Sequence, residues 1–336
     1  MRILLPATVA LVLTTEAAAQ SAAASPPSVF VVPQWAFPTQ LPPPADPFPT
    51  ADSTTPRRIP GVARTFTQKE AYNRFAPADW VPAAHPPAPG PVAQGRRPVG
   101  FACAFCHLYT GAGRPENAPV AGLPVEYIVR QVRAFRDSTR LTANPLSQVN
   151  SMHAMARAFT DAEVEEAARY FAGIVPTRRN RVVESATVPR HKVTGLLYVM
   201  DGAGSEPIAG RLIEMPEEAE RHELHDPTVA YVTYVPPGSL ALGAALVRDG
   251  PAGTMTACTT CHGPALLGVG SIPPIAGRSP QYLLRQLLNF RAGARADSGS
   301  APMRLVTEAM TLEQMVAAAG YVGSLAPAAP GDRQEP

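Results

Sequence analysis

Apolar and polar positions follow two rhythms along this chain, and the longer one occurs twice with nearly the same residues. Tyr127-Ile-Val-Arg130-Gln131-x-x-x-Phe135-Arg136 and Tyr282-Leu-Leu-Arg285-Gln286-x-x-x-Phe290-Arg291 both place apolar side chains at helical spacing, which predicts two amphipathic helices. A second matched pair follows. Phe159-Thr160-Asp-Ala-Glu163 opens an apolar-periodic run ending at Tyr170, and Met310-Thr311-Leu-Glu-Gln314 opens one ending at Tyr321. Thr with Glu or Gln three residues on is a capping box, in which each side chain satisfies a backbone N–H that the helix start leaves orphaned. Matched signals in matched order predict a duplicated structural unit.

The stretch between the copies changes period. Val193 to Met200 and Val229 to Val235 are rich in Val, Tyr and Thr, and Asp201-Gly-Ala-Gly204 reads as a turn, so a small β appendage is expected there. Its acidic cluster (Glu214, Glu217, Glu218, Glu220, Glu223 and Asp226) reads as a solvated face or a docking patch. Ser239 to Val247 predicts a helix stopped near Gly250 at the head of the second copy. The counterpart near Val92 to Gly95 is short and flanked by prolines, which predicts a looser covering on one edge of the first. Thr67-Gln-Lys-Glu70 opens a further helix running to Phe75.

Composition changes this picture at the N-terminus. Arg2, an apolar core from Ile3 to Leu13 and Ala17-Ala18-Ala19 read as a cleaved secretory leader, too short to span a bilayer permanently. No cysteine follows the cleavage site to take a lipid anchor, and no later apolar run reaches spanning length, so the mature chain is expected to be soluble and periplasmic. Much of the chain's complement of 39 prolines crowds between Pro26 and Pro98 and marks an extended, irregular segment. At 336 residues the expected partition is a signal peptide (1–19), a Pro-rich extension (20–89), one unit (90–177), an interdomain segment (178–237), a second unit (238–327) and a tail (328–336). The formal charge of +2 does not point to nucleic acid.

All four cysteines fall in two copies of one pentapeptide, Cys103-Ala-Phe-Cys106-His107 and Cys258-Thr-Thr-Cys261-His262. Cys-x-x-Cys-His is the attachment signature of c-type haem: two thiols add to the porphyrin vinyls and the next imidazole meets the iron. Export would otherwise suggest disulfides, and two Cys-x-x-Cys pairs could make a Cys₄ zinc site. A Cys-x-x-Cys bridge would leave the adjoining histidine without a role, and would have to do so twice; the zinc site stays open on the motifs alone. In both copies a Pro-x-Ala-Gly tetrapeptide, Pro119 to Gly122 and Pro274 to Gly277, begins 12 residues after the histidine, and the helix tyrosine lies 20 after it. Met152 and Met303 stand 40 to 45 residues past their histidines, each seven residues before the residue that precedes a capping-box threonine. A thioether is a soft donor that favours ferrous iron, so these two are the candidate second axial ligands. Met155, Met310 and Met315 fit the register less well and read as packing residues. His85, His153, His191, His222 and His225 lack the motif context. Arg130, Arg136, Arg285 and Arg291 recur in the repeat, so one pair is a candidate for offsetting haem propionate charge; the alternative is solvent-facing helix charge.

Motif, proline, tyrosine helix, methionine and closing helix together resemble the class I cytochrome c fold, and two such units in one exported chain resemble the tandem dihaem cytochromes of the cytochrome c4 type. The resemblance covers about residues 90–177 and 238–326. It implies a mainly α fold with helices around each of two covalently attached haems c, iron ligands His107 with Met152 and His262 with Met303, and a proline carbonyl accepting from each axial Nδ1–H, a role carried onto Pro119 and Pro274. The function it implies is single-electron transfer from a dehydrogenase or quinol-oxidising donor to a terminal oxidase, with no catalytic residue of the chain's own. Two other classes remain open on the residues: a dihaem enzyme such as a peroxidase or sulfur-compound oxidoreductase, and a cytochrome subunit of a dehydrogenase complex.

Overall fold

The repeated signals fold as repeated elements. In a computed structural model, which describes residues 30–40, 51–144, 149–250, 255–327 and 332, residues 32–336 cluster as one compact body. The leader, the start of the extension and most of the tail lie outside the described residues. The extension contributes α1 (Gln68–Ala71), which starts with the Thr67/Glu70 capping box and is shorter than the run to Phe75 suggests. The first unit holds α2 (Gly90–Ala93), α3 (Cys103–His107), α4 (Val125–Arg136), α5 (Val149–Ala158) and α6 (Asp161–Ala172). The segment between the units holds β1 (Asn180–Glu184), β2 (Thr187–Thr194), β3 (Leu197–Pro207), β4 (Ile213–Pro216), α7 (Ala219–Glu223) and β5 (Tyr231–Val235). The second unit repeats the first with α8 (Ser239–Asp249), α9 (Cys258–His262), α10 (Pro280–Arg291), α11 (Ala301–Glu308) and α12 (Leu312–Ser324). Both closing helices carry the expected reciprocal capping boxes, Thr160 with Glu163 and Thr311 with Gln314.

Each unit buries its helices on its own small core. In the first, Val92, Ala104, Ala121, Tyr170 and Phe171 pack together; in the second, Val247, Leu266, Ala276 and Val322 do so. Helices α8 and α12 cross so closely that a Cβ on Gly243 would lie 2.2 Å from the Ala317 carbonyl oxygen. Only glycine permits that approach, and a side chain there would force the helices apart.

The β appendage is present, but its turn is displaced. Chain reversal occurs at Gly195, at φ 59°, between β2 and β3, and Asp201 to Gly204 lie inside β3. The run from Val193 to Met200 is therefore two strands of a hairpin rather than one. A separate sheet has the order β1-β5-β4, with β1 parallel and β4 antiparallel to β5.

This segment ties the two units together, which no local pattern announces. Arg179 donates to the carbonyls of Ala112 and Gly113 in the first unit. Glu214 on β4 accepts from the Ser279 hydroxyl and the Gln281 N–H, both at 2.8 Å, at the start of α10 in the second. A carboxylate there satisfies orphan donors and complements the helix dipole. Glu214 and Asp226 are thus buried, each 1% exposed, and only part of the acidic cluster forms a solvated face. Glu214→Ala is expected to cost about 1–3 kcal/mol by stranding buried donors. Glu214→Gln, which keeps an acceptor oxygen, should unfold close to wild type in the same denaturant titration.

The extension wraps the first unit. The Ala102 N–H donates to the Arg74 carbonyl at 2.8 Å, Phe75 meets Phe101 edge-on at 5.7 Å, and Tyr109 stacks on His85 at 5.3 Å. Trp80, 1% exposed, donates through its indole N–H to the Leu224 carbonyl at 2.8 Å. The short α2 therefore does not leave the motif helix bare. Ala104 and Phe105 in α3 are buried, whereas Thr260 and Cys261 in α9 are exposed. The looser cover lies on the second motif helix, the reverse of the expectation.

Candidate haem sites

The two Cys-x-x-Cys-His segments fold as one-turn helices, each leading into a loop that returns to its own histidine. His107 Nδ1 lies 2.8 Å from the Ala118 carbonyl oxygen, and His262 Nδ1 lies 2.9 Å from that of Pro273. A carbonyl only accepts, so Nδ1 carries the proton and donates, which leaves Nε2 with its lone pair free to meet a metal. Burial pushes both imidazoles towards their neutral form, against the smaller opposite pull of these carbonyls. A neutral, tautomer-fixed imidazole is what a haem iron binds.

Both acceptors stand one residue before the expected prolines. The Pro119 carbonyl accepts instead from Arg278 Nη1 at 2.7 Å, and the Pro274 carbonyl from Arg278 Nε at 2.8 Å. Repeat spacing locates the loop, but which carbonyl turns inward depends on what packs behind it, and here a buried guanidinium takes the two proline oxygens.

No disulfide joins the four cysteines. Burial pushes Cys103 up to about 12 and Cys106 and Cys258 up to about 11, with Cys106 adding to the rise at Cys103. Thiols so raised are poor thiolate ligands and poor redox nucleophiles. Among the described residues no three His, Cys, Asp or Glu side chains gather as a metal cluster, so the cysteine pairs form no Cys₄ site.

Met152 on α5 and Met303 on α11 are half-buried. Both helices are held from α4 and α10 by the recurring arginines. Arg136 donates to the Ala156 and Phe159 carbonyls at 3.0 Å each, and Arg291 to those of Thr307 and Glu308. Arg136 and Arg291 thus anchor the methionine helices, whereas Arg130 Nε and Arg285 Nη2 are buried donors without a hydrogen-bond acceptor. Met310 and Met315 are buried packing residues, and Met155 Sδ accepts from the Phe101 N–H at 3.1 Å. The other histidines are engaged elsewhere: His153 with the Phe135 carbonyl, His85 with Asp79, His191 with the Pro189 carbonyl, and His222 with Tyr231 and Glu116, while His225 packs on Tyr72 and Phe105.

The seam between the units was not foreseen. Arg140 and Arg295 pair across it as an isolated β-bridge. Gln131 Oε1 accepts from both, at 2.6 and 2.8 Å, and Gln286 Oε1 accepts from both, at 3.2 and 3.1 Å. Each pair is related by the repeat offset (286 − 131 = 155 and 295 − 140 = 155), so the units meet about a local two-fold. The arginines were findable as a matched pair, though not their meeting. Orphaned donors on Arg130, Arg285 and Arg295 fit a group that brings carboxylates, as haem does with its propionates. Cys103, Cys106, Cys258 and Cys261 would hold the porphyrin covalently.

No family model matches the chain. The thiosulfate dehydrogenase electron acceptor of Stutzerimonas stutzeri is 27% identical over 237 residues, 69% of this chain and 82% of that protein. Cytochrome c4 of Azotobacter vinelandii is 25% identical over 248 residues, 72% of this chain and 91% of that one. A solved cytochrome c4 from Acidithiobacillus ferrooxidans gives a TM-score of 0.43 at 23% identity, covering 66% of this chain and 98% of that chain. The likeness is to the class I cytochromes c of the c4 type. The names of these relatives, an electron acceptor and a cytochrome c4, support an electron-transfer cytochrome with covalently bound haem c.

Proposed function

We propose that the chain is a periplasmic carrier of single electrons with two haems c, one ligated by His107 and Met152 and the other by His262 and Met303, within units spanning about 90–177 and 238–327. The observation that carries this reading is the pair of imidazoles, His262 buried and His107 half-buried, each fixed by a loop carbonyl in the tautomer that presents Nε2. The haem, when bound, supplies the one-electron couple. The protein's own part is to hold each imidazole, to keep water from it by burial, and to set charge around it. With both axial positions filled, no substrate need reach the iron. Among the described residues no helix is long and apolar enough to cross a membrane.

The electron donor on this reading is a dehydrogenase acting on thiosulfate, supported by the name of the Stutzerimonas stutzeri relative; a terminal oxidase is the acceptor. Mixing the oxidised holoprotein with a thiosulfate dehydrogenase and thiosulfate should reduce its haem bands rapidly. Reduction by a quinol-oxidising complex and not by this pair would assign the other donor class.

A further inference from the structure

Arg278 is buried, 7% exposed, and reaches both haem sites from one place. Its Nε donates to the Pro274 carbonyl at 2.8 Å, Nη1 to the Pro119 carbonyl at 2.7 Å and Nη2 to the Ala121 carbonyl at 3.1 Å. Pro119 directly follows Ala118, whose oxygen holds His107, and Pro274 directly follows Pro273, whose oxygen holds His262. One side chain therefore grips the axial-histidine loop of each unit, a single peptide beyond the imidazole acceptor. Its hydrogen-bond partners are carbonyls rather than carboxylates, and burial alone draws it down to about 10, still cationic at neutral pH. The charge is not a repeat feature. The same place in the first copy is Leu123 (278 − 123 = 155), so a single cation serves two loops.

We infer that Arg278 is a positioning residue shared by the two haem sites, which fixes the two axial loops against each other and, through its unneutralised charge, raises both reduction potentials together. Oxidation of either iron adds a positive charge near a fixed cation inside a medium of low dielectric, so the guanidinium favours the ferrous state at both. Because its contacts to the two loops are nearly equal in length, the effect is common to the two sites rather than a means of separating them.

The inference rests on the two-haem reading above, and the test keeps the two apart. Spectroelectrochemical titration of the holoprotein and of its Arg278→Gln and Arg278→Lys forms supplies the readout. In Arg278→Gln both potentials should fall together, by about tenfold in the ferric-to-ferrous ratio, or 59 mV for one electron. Arg278→Lys keeps the charge with fewer donors and should restore most of that shift at both sites. Arg278→Met, which has no donor, is expected to show the same fall as the glutamine form and replaces it if that form does not accumulate. Unmoved potentials in the neutral variants, a shift at one site alone, or a lysine form that falls as far as the neutral one would overturn the inference. A wild-type protein with only one redox component would instead overturn the two-haem reading.

Discussion

Replacing Met152 with alanine should open one iron of the holoprotein to carbon monoxide and leave the other closed, and Met303→Ala should do the converse. A thioether stabilises ferrous iron relative to water or hydroxide, so the potential of the altered site should fall, by on the order of 100 mV within the roughly 0.8 V that axial ligands command. The neighbouring residues make the readout specific. His153, the nearest other donor on α5, is buried with Nδ1 engaged by the Phe135 carbonyl, and Met155 faces the Phe101 N–H. Neither is poised to replace Met152. Carbon monoxide titration of each reduced variant checks this. Unchanged potentials and no uptake would remove Met152 and Met303 from the ligand set.

The second large effect lies where the interdomain segment meets the first unit. Glu116 pairs with Arg114 at 3.2 Å and with His222 on α7 at 3.3 Å, and the two acid–base partners are nearly excluded from solvent. His222 is fixed in turn by the Tyr231 hydroxyl at 2.9 Å. Breaking such a buried pair from one side strands the other charge, so Arg114→Ala should cost about 3–5 kcal/mol of unfolding free energy. The same pair governs acid stability. Burial pushes the Glu116 carboxyl up, but Arg114 and then His222 outweigh it and hold the group well below its ordinary 4.5. The folded protein therefore binds fewer protons in acid than the unfolded chain. Glu116's contribution is complete above about pH 4.5 and is lost as pH falls below it. Denaturant melts from pH 7 to pH 3 should show a steep acid loss in wild type and a shallower one in Glu116→Gln.

What the sequence disclosed depended on how local each signal was. Capping boxes join residues three apart, and Thr160/Glu163 and Thr311/Gln314 form as read. The tyrosine helices were equally legible, because helical period is written in consecutive residues, whereas the motifs announced their chemistry and not their helical turn. The imidazole acceptors were legible only to within one residue: spacing names the loop, while Arg278, more than 150 residues from Pro119, decides which oxygens turn inward. The hairpin turn at Gly195 was masked by the stronger-looking Asp201-Gly-Ala-Gly204, whose glycines instead bend β3 at positive φ. The packing of Phe75 on Phe101, the Trp80 bond to the Leu224 carbonyl and the burial of Glu214 follow from contacts between segments far apart in the chain, where no periodicity speaks.

The central claim is two haems c, each closed by histidine and methionine. A redox titration of the purified wild-type holoprotein, followed by optical spectra and then by carbon monoxide on the reduced form, tests it most directly. Two one-electron components with low-spin spectra and no carbon monoxide uptake at either iron are expected. A single component, or stoichiometric uptake at one iron, would contradict it.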